Sequence, residues 1–367
     1  MDKKGIVRKV FPGSNSAFGF FSFYDQIIGP DAVRIFMIKG GPGVGKSTLM
    51  KKIGEEMLSR GYDLEYHYCS SDPQSLDGLV VPGLRIAIMD GTAPHIVDPR
   101  HPGAVDEIIH LGNFWDEAGI RKNKTSIIRI TSEIGRLFQN AYRHLSTTKS
   151  YLEAMESYYS LDGILNKRSL DFLGLELLEE ILTGKTAAGG GPGKIRRLFA
   201  SAITPEGPIN YLDSLVNHLI SIYIIHGDYR TGKRKIIESI MDGALMRGFY
   251  VEAYHCALDP DKVDHIIIPE LGAAVFNSLE PHYFTGGESW REIDTAEFIA
   301  SFPKDLQAEH SDFTVRYRSS LKEAISFLTR AKAAHDELEE YYIPNMNFAE
   351  IDRVCRDTLE RIFEYTR

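Results

Sequence analysis

The sequence predicts an α/β fold of two tandem modules, each a parallel sheet with flanking helices plus a helical arm, and three observations lead there. Residues 35–95 align without a gap on residues 222–282, with about 18 of roughly 61 positions identical. The shared set includes Gly40/Gly227, Gly45/Gly232, Lys46/Lys233, Cys69/Cys256, Asp77/Asp264 and Pro82/Pro269. Upstream, Phe11, Gly19 and Asp25 match Phe199, Gly207 and Asp213, and downstream the stretch from Phe138 matches that from Leu321. Within each copy a short apolar run enters a glycine loop and is followed by a helical pattern, the order of a strand–loop–helix unit. Between the copies, TGKTAAGGGPGK (183–194) holds too much glycine and proline for a packed element and reads as a linker. The expected modules are therefore residues 1–184 and 196–367, joined by 185–195.

Ile35 to Ile38 is a continuous apolar run, as a parallel strand covered on both faces requires. From Lys46 to Arg60, Leu49, Ile53 and Met57 recur at helical spacing, Met50 and Leu58 widen the stripe, and Gly61 is placed to end the helix. Leu64 to Cys69 and Leu84 to Met89 are the next strand candidates. Beyond residue 125 the pattern becomes long and helical, over 127–159 and 170–182, with 320–342 and 351–365 as counterparts.

The chemistry concentrates where the first strand ends. GGPGVGKST places Gly40, Gly45, Lys46 and Ser47 in the spacing G-x-x-x-x-G-K-[ST], with a strand before and a helix after. Glycines let backbone N–H groups turn around a polyphosphate, and the helix N-terminus adds partial positive charge. Gly40, Gly41, Gly43, Val44, Gly45, Lys46, Ser47 and Thr48 are the expected nucleotide-binding set, with Lys46 reaching the β and γ phosphates and Ser47 ligating Mg²⁺. The run from Leu84 to Asp90 ends in an acid suited to the metal's water shell, although Asp90-Gly91 also favours a tight turn. Asp72, just past the second strand, is the candidate to orient a water or accept a proton, with loop capping beside Pro73 as the plainer role; Asp77 shares that ambiguity. His95 reads either as a γ-phosphate sensor or as a hydrogen-bonding scaffold residue. Cys69 and Cys256 read as packed thiols, and no spacing supports a zinc site.

These residues resemble the P-loop NTPases over the nucleotide core of each half. The whole arrangement is similar to a bacterial family with two fused P-loop modules, one intact and one degenerate. That resemblance implies ATP binding, with hydrolysis as the accompanying activity, and brings no substrate with it. Guanine specificity is disfavoured, because Asn166-Lys167-Arg168-Ser169 fails the N-K-x-D pattern at its last position.

The second copy departs at two positions. Arg234 replaces the hydroxyl of Ser47, and Asn277 stands where Asp90 stood. Yet Arg230, Lys233, Arg234 and Lys235 crowd a helix N-terminus, where cations oppose the dipole unless an anion offsets them. Gly227, Gly232, Lys233 and Arg234 are thus a possible second anion site, for a phosphate-bearing ligand or an acidic surface of the sister module, without metal-assisted turnover.

Composition bounds the function classes. With 367 residues, 43% hydrophobic and 25% charged, the chain can build two buried cores. A net charge of -9 argues against a surface coated for nucleic acid. Arg121, Lys122, Lys124, Arg129, Arg136, Arg143 and Lys149 stand against the single acid Glu133, and read as a solvated face or as a contact for nucleotide phosphates, a nucleic-acid backbone or an acidic partner. No apolar run approaches the roughly 18 residues of a membrane span. The first residues lack an apolar signal region and cysteine appears three times, so a reducing cytoplasm is expected. The expected function is a Mg²⁺-dependent ATPase with one active and one degenerate site. The alternatives are a phosphotransferase acting on a small molecule with Asp72 as base, and a nucleotide-sensing scaffold without turnover; a small-molecule or protein partner is left open.

Overall fold

The structure is a computed structural model that describes residues 4–92, 97–188, 191–228, 231–280, 282–284, 287, 290–299 and 304–366. The chain opens with β1 (Val7–Val10) and a hairpin of β2 (Gly13–Ser16) and β3 (Gly19–Ser22). Next come β4 (Arg34–Lys39), α1 (Lys46–Ser59), β5 (Leu64–Tyr68), β6 (Leu76–Val81), β7 (Ile86–Asp90) and β8 (Asp106–His110). Short α2 (Glu117–Lys122) leads into the arm helix α3 (Lys124–Tyr158), then α4 (Lys167–Leu182). The second half repeats the order with β9 (Ile195–Leu198), hairpin β10 (Ser201–Thr204) and β11 (Gly207–Asn210), β12 (Ser221–His226) and α5 (Lys233–Met246). It continues through β13 (Val251–His255), β14 (Val263–Ile268), β15 (Ala273–Asn277), β16 (Arg291–Asp294), α6 (Lys304–Glu339) and α7 (Phe348–Glu364).

Two six-stranded sheets have the same order, β1-β5-β6-β7-β4-β8 and β9-β13-β14-β15-β12-β16, so the chain is two tandem α/β modules as the repeat predicts. The sheets are mixed, which corrects the expected all-parallel arrangement. β6 runs antiparallel to β5 and β7, and β14 antiparallel to β13 and β15. The reason is connection length: only a 3₁₀ turn at Pro82–Leu84 and Arg85 separate β6 from β7, far too little chain for a parallel crossover. β6 escapes the alternation rule because all six of its residues are buried.

The helical arms cross. α3 and α6 pack antiparallel, with the Arg129–Glu337 pair (3.3 Å) toward one end and Tyr158 Oη donating to Glu309 (2.9 Å) at the other. Their seam joins Ala141, Leu145, Leu152 and Met155 to Tyr317, Leu321, Ala324 and Leu328. From Leu137 to Met155 the buried residues of α3 are spaced by three and four, as on a coiled-coil face. Each arm then delivers its last helix to the other half's sheet. Leu170, Leu173, Leu177 and Ile181 of α4 join Ile236, Ile237 and Ile240 of α5, while Ile351, Cys355 and Ile362 of α7 join Leu49, Met50 and Ile53 of α1. Each sheet's core is built from both copies of the repeat, so the boundaries at 184 and 196 separate units of sequence that are interlocked in space.

Candidate functional site

β4 lies between β7 and β8, and its end feeds the glycine loop into α1. Parallel register puts Ile38 opposite Asp90, so the loop and the acid meet at one sheet edge. Lys46 Nζ lies 3.5 Å from Asp90 Oδ2 and donates to the loop carbonyls of Gly41 (2.8 Å) and Gly40 (3.3 Å). Asp90 Oδ1 accepts from Thr92 N–H at 2.8 Å, so this carboxylate both caps the turn and faces the lysine. Gly43 (φ 65°) and Gly45 (φ 93°) occupy the left-handed region that glycine enters without a Cβ clash. A Cβ on Gly41 would lie 2.9 Å from the Tyr342 ring, which covers this side of the loop.

The remaining predicted residues divide by role. Ser47 Oγ accepts from Leu76 N–H (2.9 Å) and ties the start of α1 to β6. Val44 is fully buried, so it offers a ligand only its backbone, and Thr48 is exposed. Asp72 accepts from Gln74 N–H (3.3 Å) and Ser75 Oγ (2.8 Å) and has Lys332 Nζ at 3.7 Å, which is loop-capping geometry with a cation from α6 alongside. Asp77 is buried beside Tyr24, whose phenol is pushed well up by burial and then by Asp77. The three cysteines are free and buried, and burial pushes the Cys256 thiol up to about 12. His95 lies outside the described residues.

Sequence reasoning missed the wall contributed by the end of α6. Gly43 N–H donates to Glu339 Oε1 at 3.1 Å, across 296 residues of sequence. Tyr342 and Trp115 follow at a ring-centroid distance of 6.2 Å. The signal lay in the repeat: the match of Phe138–Tyr159 with Leu321–Tyr342 aligns Glu339 with Glu156 and Tyr342 with Tyr159. Both partners sit at the second glycine loop, where Tyr159 Oη donates to Asp228 (2.8 Å) and Glu156 faces Arg234.

That second loop has Gly227 and Gly232 at positive φ, and its described cations are paired within the protein. Arg234 donates to Asp264 Oδ1 (3.0 Å) and to Glu156 Oε1 (3.4 Å), the latter a fully buried residue of the first half. Burial would raise the Asp264 carboxyl; Arg234 more than offsets this and holds it well below the usual carboxylate range. Asn277 donates to the same carboxylate at 3.2 Å. Lys233 is buried and donates to the Gly227 carbonyl, and burial lowers its amine to about 8. The cavity beside Arg234, Asp264 and Asn277 measures about 30 Å³, and a larger one of about 470 Å³ adjoins Gly232 and Lys235 on the α4 side. Lys235 pairs with Asp171 at 2.6 Å, and Arg230 lies outside the described residues.

The basic stretch of α2 and α3 is largely paired: Arg121 with Glu117, Arg129 with Glu337, Arg136 with Glu133, Lys149 with Glu153. Among the described residues no helix is long and apolar enough to cross a membrane.

Residues 22–80 match the family model described as Nephrocystin 3, N-terminal. The matched stretch, well under half of the chain, runs from the end of β3 into β6 and includes the glycine loop. No curated protein and no solved structure matches the chain.

Proposed function

We propose that the first half binds ATP with Mg²⁺ and hydrolyses it, and that the second half carries a degenerate site without turnover. One observation carries the reading: Lys46 and Asp90 approach to 3.5 Å beside a loop whose Gly43 N–H already bonds a carboxylate. A donor that takes a carboxylate is suited to a phosphate oxygen, and the nearby ammonium adds charge that a polyphosphate needs.

The residues fit the ligands. The backbone N–H groups of the Gly40–Gly45 loop and the Lys46 ammonium would hold the phosphates. Ser47 and Asp90 would supply one hydroxyl and one carboxylate to the metal, a donor count that suits Mg²⁺, which keeps several waters. When bound, Mg²⁺ supplies charge compensation at the phosphate oxygens. Lys46, released from the loop carbonyls, moves its charge toward the ligand, and Tyr342 and Trp115 limit access of water from the α6 side. In the second half Arg234 and Asn277 replace the metal-binding pair, which supports binding without turnover or no binding there. Three buried free thiols support a reducing compartment such as the cytoplasm.

Calorimetry with millimolar Mg²⁺·ATP, paired with phosphate release, tests the reading. Saturable heat and phosphate release are the expected results, with binding weakened and phosphate release lost in Lys46→Ala; neither signal in the intact protein overturns it. ADP formation that requires an added acceptor replaces the ATPase with a phosphotransferase, and binding without turnover replaces it with a nucleotide-sensing scaffold.

A further inference from the structure

We infer that Glu339, carried by the second half, is a built-in competitor for the phosphate position of the first half's glycine loop, and that a polyphosphate must displace it to bind. The inference rests on the nucleotide reading above and names how that site is regulated.

The carboxylate accepts from Gly43 N–H at 3.1 Å, one of the backbone donors that a phosphate oxygen would take. Two anions cannot share that donor, and their like charges repel at contact distance. The repeat supplies an internal comparison. Glu156, the aligned residue, is fully buried and bonded to Arg234 and Lys262, so its charge is neutralised by side chains of the opposite half. Glu339 meets a backbone N–H instead, with His335 Nδ1 at 3.6 Å and Lys332 near enough to feel its field; its side chain keeps 30% of its surface in solvent. One copy has a permanent internal ion pair, and the other has a carboxylate resting on an exchangeable donor. Because Glu339 ends α6 and the turn at Ile343–Asn345 leads directly into α7, its displacement loosens the junction between the arm and the helix that covers α1. Nucleotide occupancy in the first half is thereby communicated to an arm whose other end lies on the second half.

The test compares the full chain with Glu339→Gln and Glu339→Ala, using Mg²⁺·ATP as the titrant, with Glu340→Gln as an exposed control. Thermal melts establish that each variant is folded. Both Glu339 variants are expected to bind about tenfold tighter, with Glu340→Gln unchanged. A second readout needs no variant: hydrogen exchange of amides 336–347 in the unaltered protein should rise on adding Mg²⁺·ATP. Binding by the unaltered protein with equal or weaker affinity in both Glu339 variants overturns the competitor role while leaving the nucleotide reading intact, as does unchanged or slower exchange over 336–347. No binding by any of the proteins overturns both.

Discussion

Phe11 and Phe199, equivalent residues of the two repeats, bond to one another through their backbones: Phe11 N–H donates to Phe199 carbonyl at 2.8 Å, and Phe199 N–H donates back at 3.0 Å. Reciprocal bonding of equivalent positions is the signature of a two-fold interface, here within a single chain. Both rings are fully buried and share a cluster with Phe21, Phe23 and Tyr211. Phe11→Ala should therefore cost about 3–5 kcal/mol. Urea denaturation followed by tryptophan fluorescence measures it, and a loss below 1 kcal/mol would contradict the packing described.

A pair of crossed ion bridges obeys the same symmetry. Arg8 Nη1 donates to Glu252 and Arg196 Nη1 to Glu65, each at 3.1 Å. Burial would raise the Glu65 carboxyl, but Arg196, then His67 and Arg8, hold it well below the usual range. A depressed carboxylate contributes stability that is present above its unfolded value near 4.5 and is lost as pH falls toward the folded value. Stability should decline below pH 4.5, and Glu65→Gln should flatten that slope. The substitution should also cost about 3–5 kcal/mol at neutral pH, because Arg196 is left buried with reduced compensation. Melting curves of both proteins between pH 3 and pH 7 read the two effects.

Lys233 gives a slope of the same sign, at alkaline pH. Its amine is lowered to about 8 by burial, against 10.5 when unfolded, so between these values the unfolded chain holds the extra proton. Lys233 therefore makes stability rise with pH from about 8 to 10.5, and Lys233→Met should remove this rise. Equal slopes for the two proteins over that window, read from urea midpoints, would show that the amine is not charged at a cost in the folded state.

The first half's loop gives a ligand prediction. A charge-assisted hydrogen bond contributes about 1.5–3 kcal/mol, so Lys46→Ala should weaken Mg²⁺·ATP binding about 10- to 100-fold. Asp90→Asn should act mainly through magnesium, weakening binding when the metal is present and leaving metal-free ATP binding nearly unchanged. Calorimetry with and without EDTA separates these; equal losses in both conditions would place Asp90 in the loop's structure alone.

The exchanged helices make a prediction that the chain order would not. Ile362 is fully buried against α1 and belongs to the first sheet's core. Ile362→Ala should cost about 2–5 kcal/mol and should raise hydrogen exchange in α1 more than in α5, although Ile362 is much nearer α5 in sequence. The reverse order of exchange would contradict the crossing.

Much of this molecule is written in local pattern. The duplication, the strand into Gly40, the helix from Lys46 and the acid at Asp90 follow from spacing and turn chemistry, and those elements stand where the pattern puts them. β6 was harder, because a strand buried on both faces shows no alternation and its direction depends on the length of the next turn. The loss of Ser47 and Asp90 equivalents in the second copy is visible by alignment, whereas the use of Arg234 to bind Asp264 and Glu156 is not.

The sequence by itself determined that there are two copies, where each glycine loop lies, and which copy lacks the hydroxyl and the acid. Only tertiary structure decided that α6 covers the first loop, that Glu339 meets Gly43, and that α4 and α7 exchange sheets. The reason is that a helical stripe such as that of α3 states how much apolar surface must be buried but not against what, since the hydrophobic effect has no direction. Partner choice is then settled by global packing, which brings together residues 296 positions apart that no local pattern connects.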